Sequence, residues 1–376
     1  MYTIVSYLRK RFRPGSRNAF FRPGYTVLQV AARVSLPIPV FFIAYTTSAQ
    51  SLPIQVVSDP AARTVTIKAG GDPFTTFIYP DTLEKPTLYP IYAPDGQLIT
   101  RGFPLAPRSG EPVDHPHHIG LWFNYENVSG LDFWNNSYAI PAAKKHQYGW
   151  IRTQKITKAT SGTKGTLQYT ADWTDQQRHV LLQETTTFVF SANKGERIID
   201  RTTTLKAVAD TGVSFNDAKD GLLGLRVTKE LQIPSNAPGQ FVDDKGNVTK
   251  VAAGNTPDIN GNYLTSEGKT GDSAWATRGT WCLLYGKKQQ DMLSVVIIDH
   301  PGNPGYPTYW HARGYGLFAA NPLGQKVFSN GRQTLNFHLA KGQSATFRYR
   351  IVIAAGQERL STGHIRQLAD AFAGLK

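Results

Sequence analysis

Cysteine, methionine and long apolar runs are scarce in this sequence. One Cys, Cys282, and two Met stand among 376 residues. A single thiol cannot close an internal disulfide, and it rules out a Cys-built metal site. No phosphate-cradling glycine loop, nucleotide fingerprint or nucleophile elbow is present, which removes the commonest nucleotide and acyl-transfer machinery. Acidic residues are missing from positions 1–33, which hold seven basic ones: Arg9, Lys10, Arg11, Arg13, Arg17, Arg22 and Arg33. An apolar stretch over residues 34–45 follows, and then Thr47-Ser48-Ala49-Gln50. About a dozen apolar residues are too few to span a bilayer. The pattern fits an export signal over residues 1–49, with small residues at Thr47 and Ala49 suited to cleavage after Ala49. A periplasmic or secreted product is expected.

Setting that leader aside changes the charge argument. The whole chain has 41 basic and 27 acidic side chains, net +14, and without the seven leading cations the excess is +7. The remaining Lys and Arg are scattered along strand-like segments instead of gathered with aromatics, so nucleic acid is not an expected partner. No later segment approaches membrane-spanning length. About 327 residues remain after the leader, enough to bury a large core without disulfides.

What is there is period-two alternation. In Arg63-Thr-Val-Thr-Ile-Lys68, Val65 and Ile67 share a face, and Thr166-Leu-Gln-Tyr-Thr-Ala-Asp-Trp173 alternates similarly. Residues 184–190 are rich in β-branched side chains. Phe347, Tyr349, Ile351 and Ile353 point one way while Arg348 and Arg350 point the other. Gly, Pro, Asn and Asp punctuate these runs, which predicts an all-β chain, an antiparallel sandwich. Helical spacing occurs once, at Ile365, Leu368 and Phe372, with Thr362 as the expected N-cap. Residues 233–275 read as a long surface excursion. Nothing from residue 50 to 356 reads as a linker, so residues 50–376 are expected to form a single domain.

Polar chemistry concentrates in two Asp-His-Pro segments. The first is Asp114-His115-Pro116-His117-His118-Ile119-Gly120-Leu121-Trp122-Phe123. If extended, His115 and His117 project to one face and His118 to the other. Two imidazoles on one face can bind a divalent metal, or one can act as acid or base while the other orients substrate. A turn with capping imidazoles is the competing reading, but a turn does not require three of them. The second segment runs from Asp299-His300-Pro301 to Tyr309-Trp310-His311-Ala-Arg313-Gly-Tyr315 and on to Asn321-Pro322. Tyr309, Trp310 and Tyr315 are candidate stacking platforms for a sugar ring, with His300, His311, Arg313 and Asn321 as polar contacts. Arg101, Lys219 and Asp220 are further candidate substrate contacts, Arg101 and Lys219 for a developing negative charge; at Asp220-Gly221 a plain turn is the commoner meaning. Glu126, Asp132 and Trp134 read as rim or turn residues.

At these residues the chain resembles a bacterial secreted family labelled "methane oxygenase PmoA-like". The match runs through Leu88-Tyr-Pro-Ile-Tyr-Ala-Pro-Asp-Gly, Arg101-Gly, Asp114-His-Pro-His-His, Gly120-Leu-Trp-Phe and Asp132-Phe-Trp. It continues in Asp217-Ala-Lys-Asp-Gly, Gly224-Leu-Arg226, Asp299-His-Pro, Pro307-Thr-Tyr-Trp-His, Tyr315-Gly-Leu-Phe-Ala-Ala-Asn-Pro and Arg348-Tyr-Arg350-Ile-Val-Ile. Two departures stand out, Ile119 and Gly305, both where the family commonly carries a basic residue. The label implies a copper monooxygenase subunit, which would need spanning helices or a partner complex that nothing here indicates. The resemblance implies a galactose-mutarotase-like supersandwich, a fold whose relatives bind sugars in a sheet concavity and act as epimerases, lyases or hydrolases.

The expected protein is therefore a carbohydrate-active enzyme on a saccharide, a glycoside or an oxidised sugar. His115, His117 or His118 would move a proton, His311 would be the counterpart, and elimination or glycosidic cleavage is the leading reaction. The alternatives are a non-catalytic carbohydrate-binding protein and a sugar epimerase. No organic cofactor is expected; a divalent metal at His115 and His117 is the one candidate.

Overall fold

The structure is a computed structural model that describes residue 24, residues 50–251 and residues 258–375. The expected signal segment thus lies outside the described residues, apart from Gly24. No described helix is long and apolar enough to cross a membrane.

Two eight-stranded antiparallel sheets carry the fold. The first runs, in spatial order, Ile54–Asp59, Thr64–Ala69, Asp72–Ile78, Thr87–Ile91, Leu121–Tyr125, Gly221–Arg226, Leu317–Asn321, Tyr309–Arg313. The second runs Asn262–Thr265, Trp281–Lys288, Asp291–Asp299, Ser344–Gly356, Glu196–Ala207, Val180–Ala192, Gly165–Thr174, Trp150–Thr160. Alternation dictates which side chains fill the space between them. Val65, Ile67, Leu121, Phe123, Tyr169, Phe347, Tyr349 and Ile351 all point inward into one continuous core. This is the all-β supersandwich that the alternation and the resemblance call for.

The outer faces are treated differently. The C-terminal helix Thr362–Ala373 packs Ile365 and Phe372 onto Trp281, Val296 and Val352, covering the second sheet. Its cap is Ser361, one residue before the expected Thr362, because the Ser361 hydroxyl accepts the His364 N–H at 3.2 Å. The excursion contains a hairpin, Gly239–Val242 with Val248–Val251, before Asn262–Thr265 joins the edge of the second sheet.

On the first sheet, the outer face is floored by small residues. One register row across it reads Trp122, Gly224, Ala319, His311. A Cβ on Gly224 would sit 2.5 Å from the Trp122 ring and 2.8 Å from that of Trp134. Only glycine lets both indoles lie flat against the strand. The next row carries Arg226, Leu317 and Arg313. The first histidine segment, together with His311 and Arg313, meets this face.

Candidate functional site

The first histidine segment is a turn and not an extended strand, which corrects the face assignment above. The His118 N–H donates to the His115 carbonyl at 3.0 Å, and His115 itself adopts φ +45°. A left-handed conformation is costly for a residue with a Cβ and needs an external hold. Arg101 supplies it. Its guanidinium, fully buried, donates to the carbonyls of Asp114 (2.7 Å), His115 (2.9 Å) and His118 (3.2 Å). Arg101 is thus corrected from a substrate contact to the brace of this turn.

Asp114 ties the group together. Its Oδ1 accepts from Arg101 and from Arg226, each at 2.6 Å, and its Oδ2 lies 2.6 Å from His115 Nδ1. Burial works against the charged carboxylate, but the His115 hydrogen bond and the two guanidinium charges outweigh it and hold the group well below the usual carboxylate range. With Nδ1 committed to Asp114, the His115 ring has Nε2 left for a ligand.

The rings stack on the glycine-cleared floor. His115 is parallel to His118 at 4.8 Å and to Tyr315 at 5.0 Å, while His118 lies over Trp122 at 5.2 Å. Arg226 covers Tyr315 at 4.8 Å and reaches His118 Nδ1 at 3.2 Å. Burial keeps His118 neutral, with the nearby His117 and Arg226 adding to the effect. His117 is pushed down to about 2 by burial and then by Lys85. Lys85 is a residue with no signal in the sequence. It is buried, donates to the His117 carbonyl at 2.8 Å, and sits over the Trp122 ring at 5.6 Å. Burial lowers it to about 8 against the pull of Glu84 and Asp132.

From the second region, His311 and Arg313 come to the same face. His311 is buried, with Nδ1 3.4 Å from Asp220 Oδ1. Burial, then the charges of Lys219, Arg313 and His115, push it down to about 3. Asp220 moves the other way, up to about 6, by burial first and then by the carboxylates of Glu126 and Asp132, with Lys219 opposing. The turn that presents Asp220 is fixed on three sides. Tyr125 Oη accepts the Ala218 N–H at 2.9 Å, Glu126 accepts the Asp220 N–H at 2.9 Å, and the Asn321 amide donates to the carbonyls of Ala218 and Lys219. Asn321 is accordingly a positioning residue rather than a ligand contact. Lys219 is half exposed and lies 3.5 Å from Asp220.

Three further candidates are corrected. His300 is not brought to this group: its Nε2 lies 3.0 Å from the Leu375 carbonyl, and its ring packs edge-on to Phe372 beside the C-terminal helix. Trp310 faces the interior between the sheets, because the strand alternates and His311 takes the outer position. Tyr309 is buried against Phe328 at 5.4 Å and donates to Gln333 at 3.2 Å, so neither ring is a stacking platform. The second Asp-His-Pro is a loop brace, Asp299 accepting from the Thr308 N–H (2.8 Å) and the Asn303 amide (2.7 Å). Gly305 has φ +77°, and a Cβ there would lie 2.2 Å from the Pro322 carbonyl oxygen, so the basic residue of the resembling family cannot stand at that position. Among the described residues no three His, Cys, Asp or Glu side chains converge as a metal site, and His115 and His117 meet edge to face at 5.6 Å.

The profile of a family described only as "Family of unknown function (DUF6807)" matches residues 64–370. The chain belongs to that family. Nothing in the comparisons carries the monooxygenase label. No curated protein matches. Solved structures similar to this chain include a protein of Escherichia coli K12 provisionally described as an aldose 1-epimerase. It has 10% identity and a TM-score of 0.33, over 81% of this chain and 98% of that one. A galactose mutarotase related enzyme from Lactobacillus acidophilus has 9% identity and a TM-score of 0.30, over 82% of this chain and 99% of that one.

Proposed function

We propose that this protein is a carbohydrate-active enzyme that works by proton transfer, acting as a sugar epimerase or mutarotase. The observation that carries the reading is the Asp220–His311 pair. Asp220, raised to about 6, is ionised at neutral pH and is the base that takes the proton, becoming neutral beside the His311 imidazole 3.4 Å away, which burial keeps uncharged. The second group is His115, oriented through Nδ1 by Asp114 with its Nε2 left for the substrate. One group removes a proton from the sugar and the other returns one, leaving the substrate's atoms unchanged in number.

Hydrolysis by a carboxylate pair is less well supported. That chemistry needs two carboxyl groups of which one is protonated and one free. Asp114 has both oxygens engaged by two guanidinium groups and an imidazole, so of these two carboxylates only Asp220 is raised toward neutrality. Hydrolytic cleavage by a carboxylate pair thus gives way to isomerisation. Export from the cytoplasm remains part of the proposal, on the pattern of residues 1–49.

The test is proton NMR of a panel of free aldoses and keto sugars in deuterated buffer, with the wild-type protein and with His311→Ala. Anomer exchange, or deuterium entry at a sugar carbon, is expected from the wild type and at least a hundredfold less from the variant. Binding of sugars with no acceleration of either exchange would establish the binding-protein alternative.

A further inference from the structure

A cavity of about 550 Å³ opens beside the histidine group. It is lined by residues 312–315, by residues 232–235 and 237–241, and by Trp275; the two segments join where the Ile233 N–H donates to the Gly314 carbonyl at 2.9 Å. Asp114, Arg313 and Tyr315 line it and also belong to the site described above. The volume lies within the range of small-molecule pockets, roughly 300–1,000 Å³.

Its lining has a distinct chemistry. Trp275, Tyr315 and Phe241 offer aromatic surface, on which the C–H faces of a pyranose can pack. The Trp275 indole N–H is buried and has no acceptor among the described residues. Arg313 is exposed and held by two rings, 5.6 Å from Trp275 and 5.9 Å from Tyr315. Among the described residues its guanidinium pairs with no carboxylate. The carboxylate of Asp114 on the same wall is spent on Arg101 and Arg226. Asp272 remains as an acceptor for hydroxyls beside Gly314. An oriented and unpaired guanidinium over aromatic rings is suited to a planar anion that binds both its N–H groups.

We propose that this cavity binds an acidic sugar unit, a pyranose bearing a carboxylate, with Arg313 gripping the carboxylate and Trp275 and Tyr315 packing on the ring. The inference rests on the reading of the neighbouring site as saccharide-active. It adds that the substrate is a uronate or an oligosaccharide containing one.

Calorimetric titration tests it on the full protein and on the Asp220→Asn variant, where binding is read without turnover. The probes are a glucuronate-containing disaccharide and its neutral glucose counterpart of the same linkage. The acidic probe is expected to bind roughly tenfold tighter or more, and Arg313→Gln is expected to bring it to the level of the neutral one. Arg313→Lys, which keeps charge without the planar fork, should retain part of the preference. Equal binding of the two probes, binding of neither, or a preference that survives Arg313→Gln overturns the inference. Full turnover by Asp220→Asn together with an intact acidic preference would overturn the proton-transfer reading and leave this one standing.

Discussion

The Asp220 carboxylate lies 3.4 Å from Nδ1 of His311, across the intervening strand Leu317–Asn321. Because Asp220 titrates at about 6 and His311 at about 3, the pair is unprotonated at neutral pH and takes up its first proton near pH 6. Activity that needs the free base should therefore fall as pH drops through about 6. Asp220→Asn should remove that limb of the profile and cost about 10²–10⁴-fold in kcat/KM. A wild-type profile flat through this window would count against the pair.

Asp114 makes a different prediction, about stability. Its folded-state pKa is depressed, so its contribution is present above the ordinary carboxylate value and is lost as pH falls below it. Asp114→Asn leaves Arg101 and Arg226 buried without their counter-charge. The cost should be roughly 2–3 kcal/mol, less than for a fully buried pair because solvent reaches Asp114. Urea unfolding at pH 7 and pH 3 would measure it, and the gap between variant and wild type should narrow at the lower pH.

Gly224→Ala tests the floor. A methyl placed 2.5 Å from Trp122 must displace the indole on which His118 rests. Overpacking of this kind costs about 1–3 kcal/mol. Thermal melting should show that loss, and turnover should drop with it because the ring stack is moved. Unchanged melting would mean that the indoles have room to shift.

His300→Ala is the contrasting case. The ring holds the Leu375 carbonyl and packs on Phe372, far from the stacked imidazoles in its contacts. Loss of two hydrogen bonds, to the Leu375 carbonyl and from the Gly302 N–H, should lower stability by about 1–3 kcal/mol. Turnover should stay at the wild-type level, and a large fall in kcat would return His300 to the site.

The fold was legible because alternation is a local signal. Val65 and Ile67, or Phe347 through Ile353, need only their own neighbours in sequence to announce an inward face. That His311 and the first histidine segment come together was legible too, because imidazoles are rare in this chain. What failed was direction. Trp310 and His311 are adjacent, and one residue of register decides which faces the core. His300 and His115 follow the same dipeptide pattern, yet one packs on the C-terminal helix and the other on Tyr315. Lys85 carried no signal at all, since its burial depends on the His117 carbonyl and the Trp122 ring, both supplied by a distant stretch of chain. Asp220 read as a turn residue, which it is; its raised pKa comes first from burial and then from Glu126 and Asp132, none of which is local to the turn sequence.

The row Trp122, Gly224, Ala319, His311 has two positions with almost no side chain. Such a surface leaves little room for tailoring, since enlargement at Gly224 collides with the indoles. Residues 232–241, by contrast, line the cavity and carry none of the imidazoles. On the proposed function, this segment can change without touching Asp220 or the imidazoles, whereas Arg313 and Tyr315 belong to both the cavity and the site. Grafting a different 232–241 segment should retune which sugar is accepted while the base beneath it keeps its pH dependence.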